Sequence, residues 1–132
     1  MLLYIFNEME AWLLIDCLGI CCYFKNDKTI RQDKTWIKFA QKSQCGETSL
    51  IVESERGGKN AKEYLRNFSR RIISKINSNL KPRDIDKKEY TEGMADSIAE
   101  FINVNEQTIN HNESLRQFAD HLDAIAKVPE EN

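Results

Sequence analysis

The stretch NAKEYLRNFSRRIISKINSN, residues 60–79, decides the fold. Wound at about 100° per residue, Ala61, Tyr64, Leu65, Phe68, Ile72 and Ile76 fall on one stripe, the pattern of a helix laid on a core. Gly57-Gly58 breaks the chain before it and Pro82 ends the region after it, which predicts a helix over 60–79. Toward the C-terminus, Met94, Ile98, Phe101 and Ile102 predict a second helix over 92–103, after a charged turn. Asn112 is placed to cap a third, with Leu115, Phe118, Leu122 and Ile125 as its buried face.

Toward the N-terminus the signals are shorter. Leu2–Phe6 is rich in strand formers and ends at Asn7, a good helix cap. Ala11, Leu14, Ile15 and Leu18 then follow helical spacing, with Gly19 as the expected stop. The apolar run Ile20–Phe24 fits either a second strand or more helix. Asn26–Lys34 reads as loop, Trp36–Ala40 as a short helix, and Leu50–Val52 as a brief strand. The fold class expected is helix-dominated α+β, with one to three short strands and at least four helices in a single domain.

Hydrophobic residues at 41% and charged residues at 30% argue against a disordered chain. The net charge of −2 conceals a strong asymmetry. Residues 1–55, the strand–helix segment, hold six Lys/Arg and eight Asp/Glu. Residues 56–83, the basic helix, hold nine Lys/Arg against Glu63 alone, and residues 84–132, the acidic helical part, hold four against twelve. Cys17, Cys21, Cys22 and Cys45 form no CxxC pair, which favours reduced, buried thiols in a cytoplasmic protein. Met1–Phe6 lacks a basic lead, and Glu8, Glu10 and Asp16 interrupt the next turns, so neither a signal peptide nor a membrane span is expected.

Three groups of residues are candidates for function. Lys59, Lys62, Arg66 and Arg70 are spaced by three or four and form one ridge, with Arg71 and Lys75 on the other shoulder of the apolar stripe. Such a ridge can track a nucleic-acid backbone. Equally, it can pair with the acidic C-terminal third of the same domain.

The second group is Arg116 and His121, on the last expected helix. Their spacing resembles that of the HEPN ribonucleases, which implies a metal-independent ribonuclease or toxin with His121 serving the attack on RNA and Arg116 steadying the site. On a helix the two sit about 140° apart, and a surface histidine beside a salt-bridging arginine is the plain alternative.

The third group is Glu8 and Glu10, carboxylates at a helix start, where a Mg²⁺ ion or simply the helix dipole would favour them. The string EMEAWLLID, residues 8–16, resembles the third conserved segment of the TOPRIM-like domains of bacterial (phage) defence proteins, relatives of the OLD-type nucleases. Residues 88–125 are similar to that group's closing region. The resemblance implies that Glu10 holds metal only with carboxylates from a partner, because the family's upstream Glu and Asp-x-Asp are missing here. A non-catalytic, nucleic-acid-associated or partner-binding remnant of a defence nuclease is therefore expected, with no cofactor of its own. A protein-interaction module is a further alternative.

Overall fold

The computed structural model describes Glu10, residues 12–44 and residues 60–105. After helical residues at Glu10, Trp12 and Leu13, Asp16 starts the helix α1 (Cys17–Lys25), where its carboxylate accepts the Gly19 amide at 3.2 Å. Asn26, in the left-handed conformation at φ 54°, closes it and returns its N–H to the carbonyls of Cys22 and Tyr23. Cys17, Ile20, Cys21 and Cys22 are fully buried, so α1 is apolar around most of its girth. It packs against α2 (Lys34–Gln44), α3 (Asn60–Ile76) and α5 (Ala95–Ala99), and is the hub of the described core.

Between α1 and α2 a 3-10 turn, Lys28–Gln32, is capped by Asp27 and buries Ile30. Asp33 then accepts the amides of Thr35 and Trp36 and starts α2, which buries Trp36 and Ala40. Along α3, Ala61, Leu65, Phe68 and Ile72 are buried, as the stripe predicts, and each large side chain contributes about 1.5–3 kcal/mol. Ile76, at the end of the stripe, is exposed.

Helix α4 (Pro82–Lys88) buries none of its own residues and lies against α3. Tyr90 follows it into the core and donates its amide to the Ser69 hydroxyl at 2.9 Å. A 3-10 turn at Glu92–Met94 leads into α5, where Ala95 and Ile98 are buried.

The helix-dominated expectation holds, while the described residues contain no strand. Ile20–Phe24 is helix, with Ile20, Cys21 and Cys22 fully buried and Tyr23 and Phe24 half-buried. Gly19 does not stop a helix but sits inside α1; Glu10, Trp12 and Leu13 are helical as expected, but the chain turns at Leu14–Ile15 and Asp16 caps a new helix. Pro82 starts a helix where the sequence predicts a turn, since a proline's missing N–H costs nothing in the first turn. Lys28–Gln32 is an ordered 3-10 turn where a loop is expected. The expected strands Leu2–Phe6 and Leu50–Val52, and the helix after Asn112, lie outside the described residues.

Candidate nucleic-acid interface

The structure splits the basic residues of α3 into two sets. On one side the acidic segment after α3 folds back on it. Lys62 pairs with Glu92, and Arg70 pairs with Asp86 and, at 3.4 Å, with Glu89. The hydrogen bond to Asp86 raises the Arg70 pKa above its ordinary value. Arg66, half-buried between them, takes part in no ion pair among the described residues. Lys59 lies outside those residues.

On the other side α3 meets α2. Arg71 donates to the Ser43 hydroxyl at 3.0 Å and lies over the rings of Phe68 and Phe39, 5.3 and 5.8 Å from their centroids. Lys75 lies over Trp36 and Phe39, at 5.1 and 5.5 Å. Lys38 and Lys42 stand exposed on α2, a helix without a single acidic residue. Two shallow grooves share the half-buried Phe39. One, of about 610 Å³, runs along α2 beside Lys38 and Lys42; the other, of about 570 Å³, runs along α3 beside Arg71, Ser74 and Lys75 and reaches Arg70 and Ile85. Among the described residues no ion pair involves Lys38, Lys42, Arg71 or Lys75.

Phe39 also ends a row of aromatic rings. Tyr64 and Phe68 stack with centroids 6.2 Å apart and planes at 14°, and Phe68 and Phe39 at 5.7 Å and 19°. Trp36 meets Phe39 edge-on. Inter-helix packing thus fixes the Phe39 ring, while Lys38, Lys42 and Lys75 remain on long, exposed stems and Arg71 is tied to Ser43. Of the sequence's candidates this face includes Arg71 and Lys75; Lys38, Phe39 and Lys42 were not among them. Their signal was present, in lysines at 34, 38 and 42 with Trp36 and Phe39 between them and no acid from 34 to 44.

Glu10 is in a different place. It is 2% exposed, accepts the Tyr90 hydroxyl at 2.8 Å on one oxygen, and leaves Oε1 without a hydrogen-bond partner. Burial pushes its pKa up, opposed by the Tyr90 hydrogen bond and by the charges of Lys62 and Arg66. Burial likewise raises the Tyr90 phenol, with Glu10 adding to the effect. A partner's carboxylate could share an ion with Glu10 only after this pocket opened. Asp16 is engaged elsewhere, with Arg31 at 2.7 Å and the Asn103 amide at 2.8 Å. Among the described residues no three His, Cys, Asp or Glu side chains gather as metal ligands. Arg116 and His121 lie outside the described residues. Among those residues no helix is long and apolar enough to cross a membrane. No family model, curated protein or solved structure matches the chain.

Proposed function

We propose that the domain binds nucleic acid through the face shared by α2 and α3, without catalysis of its own. The observation that carries this reading is a set of four cations, Lys38, Lys42, Arg71 and Lys75, gathered around Phe39 with no acidic partner among the described residues. Lys62 and Arg70 are neutralised within the domain and have less to offer a phosphate. The reading keeps the nucleic-acid link that the TOPRIM resemblance implies and moves the contact from the Lys59–Arg70 ridge to the opposite shoulder of α3.

Binding of a fluorescent oligonucleotide across a salt series tests it. Four phosphate contacts give a slope of log K against log salt of about −3 to −4, depending on strandedness. Replacing Lys38, Lys42, Arg71 and Lys75 with Gln should abolish most of that slope while the helical circular dichroism is kept. Replacing Lys62 and Arg66 with Gln should leave it nearly unchanged. Loss of binding in the second variant but not the first would return the interface to the Lys59–Arg70 ridge. No binding at low salt ends the proposal.

A further inference from the structure

A charged face alone would accept any polyanion, but this one is organised about a ring. Phe39 is held by Phe68 behind it and Trp36 at its side, so its position is set before any ligand arrives. Lys38 and Lys42 flank it on α2, and Arg71 and Lys75 flank it on α3. The order cation, aromatic, cation matches phosphate, base, phosphate along a single strand, in which each unpaired base offers a flat face. In a duplex those faces are stacked away, and a half-buried ring set between two helices has nothing to meet.

Resting on that proposed function, we infer that the ligand is single-stranded nucleic acid, with one unpaired base lying on Phe39 and its neighbouring phosphates held by Lys38 and Lys42 on one side and Arg71 and Lys75 on the other. In the free protein Arg71 and Lys75 lie over the ring. Both belong to exposed residues: Lys75 can swing outward onto a phosphate, and Arg71 exchanges its hydrogen bond to Ser43 for one, as the base takes their place on the ring.

The test uses the full chain and three probes: an oligothymidylate, a duplex of equal length, and inorganic polyphosphate as a polyanion without bases. The single strand should bind about tenfold or more tighter than the duplex at equal salt. Phe39→Leu should weaken the single strand about tenfold, within the range expected for loss of one stacked base, and leave polyphosphate binding unchanged. Equal binding of single strand and duplex, with Phe39→Leu without effect, overturns this inference but leaves the charge-based reading standing. Failure of all three probes to bind at low salt removes both. Should Phe39→Leu fail to fold, Phe39→Trp replaces it. Its fluorescence should be quenched by the oligothymidylate more strongly than that of the wild type, and equal quenching counts against the stacked base.

Discussion

An alanine at position 16 would strip three groups of one acceptor together: the Gly19 amide, the Asn103 amide and the Arg31 guanidinium. Loss of a helix cap costs about 1 kcal/mol, and breaking a largely buried charge pair adds to it. Asp16→Ala should therefore lower stability by about 3 kcal/mol, with Asp16→Asn costing roughly half as much, as urea midpoints would show. Beside it, Gly19 should reverse a familiar rule. Gly→Ala inside a helix ordinarily gains about 1 kcal/mol. Here the added Cβ would meet the Phe101 carbonyl oxygen at 2.5 Å and the Asp16 carboxylate at 2.7 Å, so Gly19→Ala should destabilise. Glu10 gives a pH dependence of stability. Burial holds its carboxyl above the ordinary 4.5, so between that value and its folded pKa the native state binds more protons than the unfolded chain. Stability must then fall as pH rises through that window. Relative to Glu10→Gln, the wild type should lose stability as the pH rises above 4.5. A wild type that gains on the variant over that range would contradict the assignment.

Among the elements, α1 has the most unusual composition, with three thiols inside a nine-residue helix. Burial pushes the Cys21 thiol up to about 12 and raises that of Cys22 as well. The thiolate is the reactive form and all three side chains are buried, so Cys17, Cys21 and Cys22 should resist iodoacetamide in native buffer and react in urea, as mass spectrometry would show. The same burial explains why α1 was hard to read. A run such as Ile20–Phe24, apolar at every position, has no polar face and hence no period to separate helix from strand. Its start was equally hidden, because Asp16 is fixed by Arg31 and Asn103, far along the chain. By contrast α3 was legible, since Leu65, Phe68 and Ile72 face the core while Arg70 and Arg71 do not. For the candidate site, the sequence showed that α3 is basic but not which of its cations are neutralised. That depended on α4 folding back to set Asp86 and Glu89 beside Arg70.

At the scale of the whole molecule, the opposed charges of residues 56–83 and 84–132 are partly resolved as pairs on the surface. Lys62–Glu92 and Arg70–Asp86 are well exposed, and exposed pairs are weak and screened by salt. Lys62→Gln should consequently shift the urea midpoint little, far less than any change at Asp16. The Asp16 contacts have another reach. The bond to the Asn103 amide joins residues 87 apart in sequence, and Arg31 to the Phe101 carbonyl joins residues 70 apart. A nine-residue helix does not persist alone in water, so α1 and the strap after α5 have to order together. Asn103 is itself exposed, in a stretch without regular structure, where a backbone amide would ordinarily exchange with deuterium quickly. Tied to Asp16, it should instead exchange at a rate close to that of the Ile20 amide deep in α1, and with the same urea dependence, because both are released only when the whole fold opens.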